Sequence, residues 1–153
     1  MDNNIRTQEN RREHIRVSAS LHFCVTLVEG VDPDTQKFIY GDCFCALTTD
    51  ISLGGIRIAH NGKVNVGFEV EISTPEVMSR EKCLSCKESF MHKNDLALTP
   101  LYGRIVWVKE GLCGIKFTNV KIRNENILSK YIWDEHLETV RKEKSKIVRQ
   151  PKF

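Results

Sequence analysis

Six short stretches of alternating apolar and polar residues, each closed by a turn signal, constrain this chain more than any other feature. Successive side chains of a strand point to opposite faces, so a period of two marks sheet. In the first stretch Leu21, Phe23, Val25 and Leu27 share one face, and His22, Cys24 and Thr26 share the other. Gly30, Asp32, Pro33 and Asp34 then supply a turn, and a second strand is expected over residues 37–49. A third, over 55–60, alternates Ile56 and Ile58 with Arg57 and ends at Asn61-Gly62, a hairpin signal. The fourth sets Phe68, Val70 and Ile72 against Glu69 and Glu71, which read as a solvated face. The fifth spans about 101–108, and Glu110-Gly111 turns into a sixth carrying Cys113, Ile115 and Phe117. Six such strands predict an all-β fold, a six-stranded antiparallel β-barrel whose closure leaves no exposed edge.

The period changes after residue 121. Ile127, Leu128, Tyr131, Ile132, Leu137 and Val140 approximate one apolar stripe of a C-terminal α-helix over 122–146, with Asn124 and nearby Glu125 expected to cap it. Such a stripe must be buried on the barrel or on a second copy of the chain, so a homodimer through this helix is an open expectation. The chain thus divides into an arginine-bearing N-terminal arm (1–17), the barrel (18–121) with an irregular insertion (76–96), the helix (122–146) and a basic tail (147–153). Its 153 residues suffice for one hydrophobic core.

Charge excludes some partners. The formal balance of +3 is concentrated at the end of the chain, where residues 141–153 carry +5 and everything before them −2. The folded part is therefore not basic, and no nucleic-acid partner is expected; a single-stranded nucleic-acid groove would need a basic, aromatic-studded strand face. No apolar run approaches the roughly 20 residues of a membrane span, and residues 1–16 do not resemble an export signal. The expected location is cytoplasmic.

Two short segments carry the chemistry. Arg12-Glu13-His14-Ile15-Arg16 is an RxxxR pattern preceded by Arg11, and Asp50-Ile51-Ser52-Leu53-Gly54-Gly55 is a DxSxxG pattern between the second and third strands. Each alone reads as ordinary surface charge or an ordinary turn. Together, and followed by Gly103-Arg104-Ile105-Val106-Trp107-Val108 and Gly114-Ile115-Lys116-Phe117, they resemble the PilZ domain family over about residues 11–118. The resemblance implies a non-enzymatic receptor for cyclic-di-GMP, the ligand being bound by Arg11, Arg12, Arg16, Asp50, Ser52, Gly54 and Gly55. It also implies signalling through a protein partner in bacterial motility, adhesion or exopolysaccharide control. An arginine just before RxxxR further implies an intercalated pair of ligands per chain.

Residue chemistry agrees with that implication. A guanidinium is always charged and presents a planar donor fork suited to phosphate or to guanine O6 and N7. A carboxylate at Asp50 accepts from guanine N–H groups, and the Ser52 hydroxyl donates to a phosphate oxygen. Gly54 and Gly55 permit close backbone approach and positive φ. The expected mechanism is closure of the arm on the ligand. Ordering a residue costs about 1–2 kcal/mol, and charge-assisted hydrogen bonds at about 1.5–3 kcal/mol each can offset it.

Rival chemistries are weaker. Cys83-Leu84-Ser85-Cys86, with His92 beyond it, and the Cys43/Cys45 pair are the candidate zinc ligands, but one pair is a CxC within a strand rather than a second knuckle. Inert thiols are the preferred reading, ahead of zinc or a redox pair, and no cofactor is expected. There is no P-loop or HExxH, and DISLGG is not a nucleophile elbow. The remaining alternative is a PilZ-like protein-interaction scaffold that does not bind the nucleotide.

Overall fold

A computed structural model of the chain describes residues 15–60, 64–74, 96 and 98–149. Among these residues seven strands form one sheet: β1 (Val17–Ser18), β2 (His22–Val31), β3 (Phe38–Ile51), β4 (Gly55–Ala59), β5 (Glu69–Ser73), β6 (Leu101–Lys109) and β7 (Leu112–Phe117). One helix, α1 (Ile122–Arg149), follows. The strand order is β1-β3-β2-β5-β6-β7-β4, and β4 also pairs with β3. Six strands therefore close into an antiparallel barrel, with β1 added as an extra strand on β3.

The inward faces follow the alternation of the sequence. Phe23, Val25, Ala46, Ile56, Ile58, Val70, Ile72, Ile105 and Ile115 are all buried in one cluster. Burying a side chain of this size stabilises by about 1.5–3 kcal/mol, so these positions hold the barrel shut. The first two barrel strands run on past the barrel as a long hairpin, with register shifts in β2 between Thr26 and Gly30. Its turn is closed by Asp32, whose carboxylate accepts from the Asp34 amide at 2.9 Å and whose carbonyl accepts from the Gln36 amide at 2.8 Å. Gln36 takes the left-handed conformation that this turn requires, at φ 59°.

Three expectations are corrected. The Asn61-Gly62 signal lies outside the described residues, but the strands on either side of it do not pair: β4 sits between β3 and β7, and β5 between β2 and β6. Closing the barrel requires β4 to bridge its two ends, which overrides the local turn. Glu71 does not belong to a solvated face. It is 2% exposed on the outer wall and accepts a hydrogen bond from the Tyr40 hydroxyl, reaching across from β3. Finally, Asn124 does not cap α1. It lies inside the first turn, fully buried, and clamps Thr99: its Oδ1 accepts from the Thr99 amide at 3.0 Å and hydroxyl at 3.1 Å, while its Nδ2 donates to the Thr99 carbonyl at 3.1 Å.

That clamp pins the start of α1 to the segment leading into β6. Leu128 and Ile132 complete the attachment by entering the core, and Ile127 and Tyr131 pack beside them. Leu137 and Val140, expected on the same buried stripe, are only half-buried and lie outside the core cluster. The reason is geometric. At 100° per residue Leu137 and Val140 fall on the side of the helix turned away from Leu128 and Ile132, so they are not carried into the core.

Candidate ligand-binding site

The site is built where β1, β3 and β4 meet. β1 pairs with the end of β3 in the register Val17↔Ile51 and Ser18↔Asp50. This short ladder carries Arg16, the residue just before it, to the Asp50 carboxylate: Arg16 Nε stands 3.7 Å from Asp50 Oδ2. The last residue of the first motif is thus brought to the first residue of the second. Arg11 and Arg12 lie outside the described residues.

Asp50 is also held from β4. In the β3–β4 ladder its cross-strand partner is Arg57, and directly opposed residues of an antiparallel pair present their side chains on the same face. Arg57 Nε stands 2.6 Å from Asp50 Oδ1 and donates to the Thr49 hydroxyl at 3.0 Å. The Thr49 hydroxyl in turn lies 2.9 Å from Asp50 Oδ1. Asp50 is 7% exposed, whereas the side chains of Arg16 and Arg57 are 53% and 42% exposed. A sunken carboxylate is therefore flanked by two guanidinium groups that reach solvent.

The two contacts differ in kind. The Arg57 pair is a short charge-assisted contact, which fixes Oδ1 and the orientation of the carboxylate. The Arg16 pair at 3.7 Å exceeds hydrogen-bond range, so it is a loose Coulombic contact that an incoming donor can displace. Oδ2 is the oxygen the site can offer. The terminal Nη1 and Nη2 of Arg57 have no partner among the described residues and complete a donor pair beside it.

The DxSxxG turn is rigid by its own bonds. The Ser52 amide donates to the Gly55 carbonyl at 2.9 Å, and the Gly54 amide donates to the Ser52 hydroxyl at 3.2 Å. The Phe117 amide donates to the Gly54 carbonyl at 2.9 Å, tying the turn to the end of β7. Positive φ is not what the glycines provide, since neither Gly54 nor Gly55 adopts it. Close approach is the reason at Gly55, where a β-carbon would lie 2.3 Å from the Ile115 carbonyl oxygen. Strand packing alone therefore requires a glycine at position 55.

Arg57 is a member of the cluster that the motifs do not name, although the sequence carries a signal for it. Ile56 and Ile58 point inward, so Arg57 must point outward, and a tight β3–β4 turn sets it opposite Asp50. The outward row continues over β7 and β6 in the register Arg57↔Gly114 and Gly114↔Trp107. The Trp107 indole lies directly over Gly114, where a β-carbon would meet its ring. Asp50, Arg57 and an indole face therefore follow one another across four strands.

The thiols sit elsewhere. Cys24 of β2 opposes Cys45 of β3, and Cys43 opposes Thr26. Cys113 is buried in the core, and burial pushes its thiol up to about 11. Cys83 and Cys86, the other half of the zinc candidate, lie outside the described residues. Among the described residues no group of three or more potential metal ligands comes together, and no helix is long and apolar enough to cross a membrane.

The arginine–aspartate cluster thus sits on a closed six-stranded barrel, at its β3–β4 turn. The family model for the PilZ domain matches residues 10–133, and the chain belongs to that family. Among solved structures it is similar to the PilZ domain with c-di-GMP of YcgR from Escherichia coli, with 18% identity and a TM-score of 0.50 over 88% of this chain and 98% of that one. It is also similar to YcgR in complex with c-di-GMP from the same organism, with 20% identity and a TM-score of 0.52 over 91% of this chain and 51% of that one. A third similar structure is the PilZ domain of CeSA from a cellulose-synthesizing bacterium, at 15% identity and a TM-score of 0.47 over 78% of this chain and 96% of that one. No curated protein sequence matches.

Proposed function

We propose that this chain is a cyclic-di-GMP receptor that binds the dinucleotide between the arm at residues 11–16 and the β3–β4 turn, and that it signals through a protein partner. The observation that carries the reading is the convergence of Arg16 and Arg57 on the sunken Asp50 carboxylate. Its support is chemical: the ligand is a dianion with two guanine bases, and the cluster offers one acceptor between two donor forks. Guanine N–H groups take Oδ2 of Asp50 and release Arg16 to a phosphate. Arg57 keeps the carboxylate oriented through Nε and turns Nη1 and Nη2 toward the ligand. Ser52 and the backbone of Gly54 border the phosphate. Arg11 and Arg12 are the remaining cations of the reading, and Arg11 favours an intercalated pair of ligands.

Closure of the arm is the proposed switch. Moving Arg16 from Asp50 to the ligand exchanges a loose ion pair for charge-assisted hydrogen bonds of about 1.5–3 kcal/mol each. The new surface formed by arm and ligand is what a downstream protein would read, in motility, adhesion or exopolysaccharide control. Titration calorimetry of the full chain with cyclic-di-GMP tests the proposal. Saturable binding in the micromolar range or tighter is expected, with two ligands per chain. One ligand per chain would remove the intercalated pair, and no heat at millimolar ligand would leave the interaction-scaffold reading.

A further inference from the structure

The second half of α1 plays no part in the proposed ligand binding. The helix is anchored through Asn124, Leu128 and Ile132, and from Trp133 to Lys144 no side chain is fully buried. At about 1.5 Å per residue, residues 133–149 extend about 25 Å as helix past the last core contact. A lone helical segment of that length is marginal in water unless something packs on it. The segment is not uniformly polar: Trp133 is 53% exposed, and Leu137 and Val140 are half-buried outside the core.

These three residues share a face with Lys144, at successive spacings of four, three and four. That is the a/d spacing of a two-helix seam. At 100° per residue the seam lies on the side of α1 roughly opposite Leu128 and Ile132, so it is directed away from the barrel. We propose that this face pairs with the same face of a second copy of the chain, in antiparallel orientation, to form a homodimer.

Charge selects both the occupant and the direction. With Leu137 of one copy against Val140 of the other, Trp133 meets the aliphatic stem of Lys144 at each end. The flanking positions then set Asp134 against Arg141 and His136 against Glu143. Two-fold symmetry repeats every one of these contacts, so four complementary polar contacts border one seam. A parallel pair would instead stack Lys144 on Lys144 and bring His136 beside Arg141. Among the described residues Arg141 reaches Glu138 of its own helix alone, with Nη1 4.0 Å from Oε2 and both side chains largely exposed. It is therefore available to a better partner.

The contact is short compared with the roughly 1,200–2,000 Å² of stable interfaces, so the dimer should form in the micromolar range. Sedimentation velocity on the full chain, without nucleotide and at low salt, tests this. A concentration-dependent species of two chains is expected by about 100 micromolar. Leu137→Glu should weaken it at least about tenfold, by placing a carboxylate in the seam. Asp134→Arg and Arg141→Asp should each weaken it, and the double exchange should restore the wild-type value, because each variant site then faces the other across the two-fold axis. These two side chains are on the exposed part of the helix, so the exchange decides the matter even if Leu137→Glu misfolds. A monomer throughout the concentration range would overturn the proposal. So would a dimer indifferent to Leu137→Glu in a folded variant, or a double exchange that stays as weak as the singles.

Discussion

Two carboxylates are sunk into the outer wall of the same barrel, and they are held in opposite ways. Asp50 lies between two guanidinium groups whose far ends reach solvent. Glu71 is almost completely covered and takes the hydroxyl of Tyr40. The first environment keeps a charge poised beside exchangeable partners; the second closes a charge off. A buried acid is thus no sign of a site by itself. Asp50 is flanked by two guanidinium groups whose side chains are 53% and 42% exposed, so a ligand can reach the carboxylate without uncovering it.

The sharpest break of this comparison is a pair of truncations. Asp50→Ala should lower affinity for cyclic-di-GMP by about 100-fold or more, since two charge-assisted contacts are lost with it. Its effect on unfolding should stay near 1 kcal/mol, because the two released arginines are readily solvated. Glu71→Ala should do the reverse. It leaves the Tyr40 hydroxyl without its acceptor and opens a void, costing about 2–3 kcal/mol in denaturant unfolding, while affinity stays at the wild-type value. If Glu71→Ala weakened binding as much as Asp50→Ala, the division between a binding acid and a structural acid would be wrong.

Arg57 sharpens the same comparison at smaller scale. Arg57→Ala should reduce affinity by about 10-fold to 100-fold, the equivalent of one charge-assisted contact and a less well oriented carboxylate. Arg57→Lys should recover only part of this. An ammonium can neutralise Asp50 but cannot hold Oδ1 and at the same time present a second pair of donors outward. Full recovery by lysine, read by the same calorimetry, would reduce Arg57 to a source of charge.

How far the molecule was legible from its residues follows from the same local contrasts. The barrel was, because Ile56/Ile58, Val70/Ile72 and Ile105 advertise their inward faces by alternation. The meeting of Arg16 with Asp50 was legible only through the conjunction of two motifs, since nothing local in either says that β1 will pair with the end of β3. Closure was not legible. Asn61-Gly62 is a local signal, whereas the pairing of β4 with β7 joins residues more than fifty positions apart, from Ala59↔Leu112 to Gly55↔Lys116, and depends on the whole sheet. The burial of Glu71 was missed for a related reason: period two assigns a face, and being covered on that face depends on neighbours such as Tyr40 that belong to another strand. Asn124 was read as a cap because caps are local, while its bonds to Thr99 span 25 residues.

The smallest expected effect concerns pH. Burial of its hydroxyl end, then the hydrogen bond to Glu71 and the charge of that carboxylate, push Tyr40 up from 10.0 to about 12. The folded state therefore holds the phenolic proton more tightly than the unfolded chain does. A raised folded value means that the stabilisation is fully present below pH 10 and is lost as the pH climbs from 10 toward 12. Unfolding midpoints of the wild type should accordingly fall across that window more steeply than those of Tyr40→Phe, which has no proton to lose there. Because the ring is partly exposed, solvent screening keeps the difference small. Cyclic-di-GMP affinity, measured between pH 6 and 9 where Tyr40 stays protonated, should be the same in both proteins. A Tyr40→Phe variant with weakened binding in that range would connect the closed wall to the open one and dissolve the contrast between them.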